Sequence, residues 1–262
     1  MGRMAGRSPM RAVAFVGVVL TMAGLAGCGD DTVESAAPKA EFRDYCEKVF
    51  AIETYPEPDI DWESLSPDQQ TAESKAFAAK LVPVAEQVRA VAPAEIKNDI
   101  NLLADAVKQV QQTGDFEAAF ETPAVNEASD RAHAFDLENC GWATVDVSGE
   151  DYRFVGIPES IEAGPVSFEF TNKGEEPHEL VLFRVNDGVE ESVEDIVGLP
   201  EEEGKAKVTP VGGTFAPPGE SEYAVADLKK GRYGVACFVP VGGGDEGPPH
   251  ASRGMHAEFE VK

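Results

Sequence analysis

The stretch YGVACFVPVGGGDEGPPHASRGM, residues 233–255, joins a short apolar run to a loop rich in glycine and proline. Two-residue alternation places Tyr233, Val235 and Cys237 on one face of a β-strand, which we expect to be the inner face. The loop that follows carries a histidine and a methionine near its end. A lone buried cysteine is usually a small apolar residue of the core, so the role of Cys237 depends on the side chains that surround it.

Five further short runs show the same alternation, and they are separated by Gly, Pro and Asn. They are VDVSGEDYRFVGIP, GPVSFEFTN, HELVLFRV, ESEYAVADL and HAEFEVK. Short alternating runs between turn residues are typical of an antiparallel β-sandwich or barrel. We therefore predict an antiparallel β-sandwich over residues 143–262, and we interpret the acidic stretch 187–210 as a surface insertion with one short helix.

Residues 40–142 are rich in Ala, Glu and Gln and predict a bundle of four helices, which makes the fold class α+β and multidomain. Ser66, Pro67 and Gln69 form a capping-box pattern that begins a long helix, and Pro83 should kink that helix. The next helix is predicted by apolar residues at three- and four-residue spacings, namely Ile96, Ile100, Leu103, Val107 and Val110.

Cys46 lies in the first predicted helix and Cys140 at the end of the last one. We predict a disulfide between them, because antiparallel helices bring distant parts of a chain together and an exported protein folds in an oxidising compartment. Two free buried thiols are the alternative. We find no catalytic constellation in this half, and we predict that His133, its only histidine, lies on a helix surface.

The N-terminal residues 1–27 have the character of an export signal. A basic start precedes an apolar run at residues 12–26, which is too short for a comfortable membrane span. The sequence LAGC, which ends at Cys28, resembles the bacterial lipobox. That resemblance implies cleavage before Cys28 and acylation of its sulfur. An uncleaved anchor with an incidental cysteine is the alternative.

Residues 28–39 are polar and lack apolar periodicity, so we interpret them as a lipidated, flexible tether. Two acyl chains suffice for stable anchoring. The sequence therefore predicts a protein held by a lipid on the extracytoplasmic face of the cell membrane. The helical half also resembles small two-cysteine domains of actinobacterial lipoproteins.

Three of the four histidines lie in the predicted β-sandwich. Two of them, His178 and His250, supply two imidazoles. Cys237 and Met255 add a thiolate and a thioether. This is the donor set of a blue copper site, in which one Cys and two His surround the metal and a Met binds weakly along the axis. A rigid β-scaffold would keep such a site nearly unchanged when the metal changes charge.

Three segments resemble the cupredoxins, the plastocyanin and azurin family. They are Asn172-x-Gly174-x-x-Pro177-His178, Leu228-x-x-Gly231-x-Tyr233-x-Val235-x-Cys237 and His250-x4-Met255. The resemblance implies a Greek-key sandwich that holds one type 1-like copper ion. It also implies that His178, Cys237 and His250 are equatorial ligands and Met255 is the axial one.

Two features depart from the family pattern. Twelve residues separate Cys237 from His250, where the family usually has only a few. A glycine-rich hairpin could fold back across that distance, or the site could be loose, exposed or lost. Glu179 stands where the family commonly has Asn. A third question concerns the axial ligand, because a register shift of one residue would replace Met255 by His256.

The net charge of −26 excludes nucleic acid as a partner and favours a basic one, such as a redox protein or a copper donor. The leading hypothesis is a membrane-anchored blue-copper-type protein that transfers electrons or handles copper. The alternative is a metal-free cupredoxin-like lipoprotein that acts as a binding or scaffold module. An enzyme is the weakest option, and we predict no catalytic residues, because an inward-facing cysteine lacks the exposed electropositive setting of a nucleophile.

Overall fold

A computed structural model describes residues 33–56, 58, 60, 62–243 and 247–262. The predicted signal peptide and Cys28 lie outside the described residues. None of the helices in this part of the chain has the length and apolar character needed to cross a bilayer.

The helical half contains five α-helices in the described residues: α1 (Arg43–Glu53), α2 (Pro67–Val91), α3 (Lys97–Thr113), α4 (Phe116–Phe120) and α5 (Pro123–Asn139). The predicted capping box is present, because Gln69 N–H bonds to the Ser66 hydroxyl and the Gln69 side chain accepts from Ser66 N–H. Helix α2 continues through Pro83. Helix α3 ends at Gly114, whose φ of 77° requires glycine. The sequence did not predict the short helix α4.

The disulfide predicted between Cys46 and Cys140 is present, with an Sγ–Sγ distance of 2.03 Å. It ties α1 to the end of α5 and closes a loop with a sequence separation of 94 residues. In the chain-entropy model, a loop of that size contributes about 4–5 kcal/mol to stability. The disulfide therefore fixes the first and last long helices of the bundle to each other.

The second half is a two-layer β-sandwich. Its strands are β1 (Ala143–Glu150), β2 (Arg153–Val155), β3 (Ser160–Ile161), β4 (Gly164–Asn172), β5 (His178–Val185), β6 (Val208–Ala216), β7 (Ser221–Leu228), β8 (Gly231–Ala236) and β9 (His256–Val261). The strand orders are β2-β1-β4-β7 in one sheet and β3-β9-β8-β5-β6 in the other. The core between the sheets includes Val145, Phe168, Leu180, Val235 and Phe259.

The sandwich agrees with the sequence prediction, but its sheets are mixed where purely antiparallel pairing was predicted. Strand β1 runs parallel to β4, and β3 runs parallel to β9. The reason is the path of the chain after β2. It crosses to the second sheet to form β3, and it returns beside β1 as β4 in the same direction. Alternation within single strands does not reveal such a crossing.

The predicted flexible tether is wrong for residues 33–39. Val33 forms a parallel bridge with Ile161, and its side chain packs against the sandwich core. Ala36 N–H donates to Gly141 O at 2.6 Å, and Lys39 N–H donates to Asn139 O at 2.9 Å. These backbone hydrogen bonds hold the segment along the fold, although its polar composition predicted a spacer.

His133 is also buried, although we predicted a helix-surface position. Its Nε2 lies 2.9 Å from Glu169 Oε1, and its ring stacks on Tyr223 with centroids 3.5 Å apart. Glu169 and Tyr223 belong to β4 and β7, so the sheet covers this face of α5. Helical periodicity could not show that a second layer packs there.

The acidic stretch 187–210 contains two short helices, α6 (Val193–Val197) and α7 (Glu201–Lys205), where one was predicted. Val193 and Ile196 of α6 are buried against Phe183 and Ala236. The insertion is therefore not solvated along its whole length, because α6 covers the outer face of the second sheet.

Asp136 on α5 gives the helical half a predicted dependence of stability on pH. Burial raises the pKa of Asp136 to about 8, whereas an unfolded aspartate has a pKa of about 3.9. The protonated carboxyl therefore stabilises the fold fully below about pH 4, and this contribution is lost as the pH rises to about 8, at up to ~1.4 kcal/mol per pH unit.

We expect Asp136→Asn to reduce the fall in the free energy of unfolding between pH 5 and pH 8, measured by urea denaturation. Asp130→Asn, on the exposed side of the same helix, is the matched control and should behave as the unmodified protein. An unchanged pH dependence in Asp136→Asn would contradict the assignment.

Candidate metal centre

Three predicted ligands meet at one end of the sandwich because of the pairing of two strands. His178 begins β5, and Cys237 directly follows the last residue of β8. Strands β5 and β8 are antiparallel neighbours with Val181 opposite Ala236, so the two ligand positions lie close together across the sheet. His250 begins a short 3₁₀ helix, His250–Arg253. All three side chains are fully buried.

The donor atoms form a compact triangle. His178 Nδ1 lies 3.0 Å from His250 Nδ1, and Cys237 Sγ lies 4.0 Å and 3.4 Å from these two nitrogens. A point equidistant from three atoms at these separations lies about 2 Å from each, which is the bond length of a transition metal to nitrogen and slightly short of that to sulfur. Among the described residues, this is the one such group of His, Cys and acidic side chains. The residues therefore fit a metal ion.

The long loop folds back as a hairpin and returns His250 to the site. Pro240 forms an antiparallel bridge with Pro249, and Val241 N–H donates to Pro248 O at 3.0 Å. His250 N–H then donates to Val239 O at 2.9 Å. Residues 244–246 lie outside the described residues. The twelve residues between Cys237 and His250 thus do not separate the two ligands.

Strand register places Met255 inside the sandwich and His256 outside it. In the β8–β9 pair, His256 lies opposite Ala236, and Cys237 N–H donates to Met255 O at 3.1 Å. Paired residues share a face of a sheet. Met255 therefore shares the inner face with Cys237 and is fully buried, whereas His256 remains partly exposed. This register favours Met255 over His256 as the fourth donor.

The outer nitrogen of His250 is bound by a carboxylate that the sequence analysis did not identify. Glu176 Oε2 lies 3.0 Å from His250 Nε2 and accepts the Gly242 N–H at 2.5 Å. Glu176 Oε1 accepts the Tyr152 hydroxyl at 3.0 Å. This pattern, a carboxylate on the second nitrogen of a ligand histidine, fixes the tautomer and the ring orientation. It leaves Nδ1 of His250 directed at the other donors.

A second carboxylate stands behind His178. Asp151 Oδ1 lies 3.5 Å from His178 Nε2, at ion-pair distance but outside hydrogen-bond geometry. The neighbouring Tyr152 has a φ of 64°, and no other non-glycine residue in the described segments has a positive φ. One strained turn between β1 and β2 thus presents Asp151 towards one imidazole and Tyr152 towards the carboxylate on the other. Strain of this kind is found at functional sites.

The motif residues around His178 have defined structural roles. The Asn172 amide donates to Glu176 O at 2.9 Å and to Ala216 O at 2.8 Å, and its carbonyl accepts Gly174 N–H at 2.9 Å. Gly174 needs to be glycine, because a Cβ there would lie 2.5 Å from His178 Nε2. The Asn-x-Gly pattern therefore shapes the loop that carries Glu176.

Glu179, the residue that departs from the family pattern, links the two ligand strands. Its carboxylate Oε1 accepts Phe238 N–H at 2.7 Å, and its own N–H donates to Cys237 Sγ at 3.4 Å. The side chain thus holds the segment that follows Cys237. A Cys237 thiolate would accept this hydrogen bond from Glu179 N–H more strongly than a thiol would.

Burial favours the neutral forms of two of the donors, Cys237 and His178. Burial raises the pKa of the Cys237 thiol to about 11. Burial also lowers the pKa of His178, with a further lowering from His250 and an opposing effect of Asp151. A metal ion would thus meet a neutral imidazole at His178, and its binding would release the thiol proton.

No family model matches the chain, and no curated protein sequence matches it. Among solved structures, auracyanin A, a "blue" copper protein from the green thermophilic photosynthetic bacterium Chloroflexus aurantiacus, is 19% identical, with 47% of this chain and 100% of that chain covered and a TM-score of 0.34. Reduced auracyanin from Roseiflexus castenholzii is 19% identical (45% and 96% covered, TM-score 0.33). Reduced rusticyanin is 18% identical (45% and 79% covered, TM-score 0.28).

We expect Glu176→Gln to weaken metal binding by about 10–100-fold, because a neutral amide replaces the carboxylate that orients His250. The measurement is the dissociation constant for Zn(II), from competition with a chromophoric chelator. Glu175→Gln is the matched control, because Glu175 is the adjacent exposed acid. Equal affinities of the two variants would show that the Glu176 carboxylate does not support the site.

Proposed function

We propose that residues 143–262 bind a single copper ion in a type 1-like site and that the protein transfers electrons or handles copper at the extracytoplasmic face of the cell membrane. The observation that carries this proposal is the buried triangle of His178, Cys237 and His250 donors. Soft thiolate and thioether ligands with two imidazoles are the donor set of blue copper proteins. The bound ion would supply a one-electron couple.

The surroundings of the donors support electron transfer over catalysis. His178, Cys237, His250 and Met255 are all fully buried, so a substrate has no direct access to the donors. Glu176 holds one imidazole and Glu179 holds the strand that follows the thiolate. Such fixed positions keep the ligand geometry similar in both charge states of an ion, which favours rapid electron transfer.

A lipid anchor at Cys28 is supported by the LAGC sequence after a short apolar run. The Cys46–Cys140 disulfide supports an oxidising, extracytoplasmic location. The acidic composition supports a basic redox or copper-donor partner.

The second candidate is a metal-free binding or scaffold module of the cell envelope. It is favoured by the direct contact between the two imidazoles, whose Nδ1 atoms lie 3.0 Å apart. Such a contact satisfies both nitrogens without an ion. On this alternative, the acidic surface or the helical half would bind another envelope protein.

Titration with Cu(II) separates these two functions. In a Cys28→Ala background, we expect an intense visible thiolate-to-copper band that saturates at one ion per chain. Cys237→Ser, which is nearly isosteric, should abolish the band and leave the far-ultraviolet circular dichroism unchanged. A colourless titration with no retained copper would leave the metal-free module as the better reading.

Lipidation is tested separately by growing an expressing bacterium with an alkyne analogue of palmitate. We expect the label on the full chain and in the membrane fraction, because acylation of Cys28 would anchor the protein. Cys28→Ala should be unlabelled, whereas Cys237→Ser should still be labelled. Labelling that survives Cys28→Ala would contradict the anchor.

A further inference from the structure

The helical bundle surrounds a cavity of about 350 Å³ that lies away from the metal centre. Helices α1, α2, α3 and α5 and strand β7 all contribute to its lining. Three positions that face it carry alanine, namely Ala85, Ala104 and Ala132, one on each of α2, α3 and α5. Small side chains at these positions of three neighbouring helices leave room for a cavity that opens to solvent on one side, where Glu53 is exposed.

The cavity is large enough for a small organic molecule. A cavity of about 150 Å³ already accommodates benzene. The present cavity is more than twice that size and has space for roughly twelve water molecules at ~30 Å³ each. A small organic molecule of similar volume would fill it.

The lining divides into an apolar wall and a polar end. The wall is made by side chains that include Phe77, Leu81, Leu103, Val107 and Phe120. The polar end is formed by Glu53, Ser129, His133, Asp136 and Tyr223. A ligand that matches this lining has an apolar body and one polar head.

Not every polar side chain at this end of the cavity has its hydrogen-bonding groups paired within the protein. The Ser129 and Tyr223 hydroxyls bond to each other at 3.3 Å, and His133 bonds to Glu169. Asp136, in contrast, is 3% exposed, and its Oδ1 has no hydrogen-bond partner among the described residues. A buried acceptor without a donor is costly, so this atom indicates where the polar head of a ligand would bind.

The charge of that head follows from the two carboxyl groups. Glu53 lines the same end of the cavity, at its solvent-exposed edge. Burial, opposed by the nearby Tyr45 hydroxyl and assisted by the charge of Glu53, raises the pKa of Asp136 to about 8. A cationic head would pair with the deprotonated form of such a carboxyl group. An anionic head would be repelled by the two carboxylates. The net charge of −26 also concentrates cations near the protein.

We propose that the bundle cavity binds a small organic cation, an amine or guanidine with an apolar body, whose charged head pairs with Asp136 and Glu53. This site is independent of the metal centre and of the function proposed for it. The helical half would then be a ligand-binding domain that precedes the β-sandwich.

Three probes with the same apolar chain and different heads test the proposal: octylamine, 1-octanol and octanoate at pH 7. We expect octylamine to bind with a saturable heat in calorimetry and to raise the melting temperature of the full chain. 1-Octanol should bind at least tenfold more weakly, and octanoate should not bind. Equal binding of all three, or binding of none, would overturn the proposal.

Variants locate the site. Asp136→Asn should weaken octylamine binding at least tenfold and leave 1-octanol binding unchanged, and Asp130→Asn on the exposed side of α5 is the matched control. Ala104→Leu should fill the cavity and abolish binding of both probes. If circular dichroism shows that Ala104→Leu does not fold, Ala132→Leu serves as the cavity-filling variant instead. Undiminished octylamine binding by a folded leucine variant would place the ligand elsewhere and overturn the assignment.

Discussion

The pairing of β5 with β8 is the constraint on which the metal centre depends. Val181 lies opposite Ala236 in this pair, and the same register brings His178, at the start of β5, beside Cys237, just after the end of β8. A shift of one residue would turn one of these side chains to the outer face of the sheet. The cores on both faces of the sheet hold this register, because Leu182 packs inside the sandwich and Phe183 packs under α6.

The donors form an inner shell, and acidic side chains form the layer around it. Glu176 binds the outer nitrogen of His250, Asp151 stands behind His178, and Glu179 bridges the ligand strands. Three carboxyl groups so near one small site would stabilise a higher positive charge on an ion more than a lower one.

Local sequence rules predicted the elements that depend on local contacts. The capping box at Ser66 and the Cys46–Cys140 disulfide are both present, because helix caps and cysteines in neighbouring helices leave clear signals in a sequence. The ligand residues were also identifiable, since two imidazoles, a thiol and a thioether are chemically distinctive. His133 shows the limit, because only a second layer of structure buries it. The same is true of Asp151, Tyr152 and the bundle cavity, which are created by contacts between distant segments.

The attachment of Val33 has a consequence for orientation. Val33 bridges Ile161, which pairs with Val261 at the last residue of β9, whereas the metal centre lies at the first residues of that strand. The six residues of β9 span about 20 Å. The N-terminal end of the described chain therefore joins the sandwich at the end opposite the donors, and the donor end stays clear of that attachment.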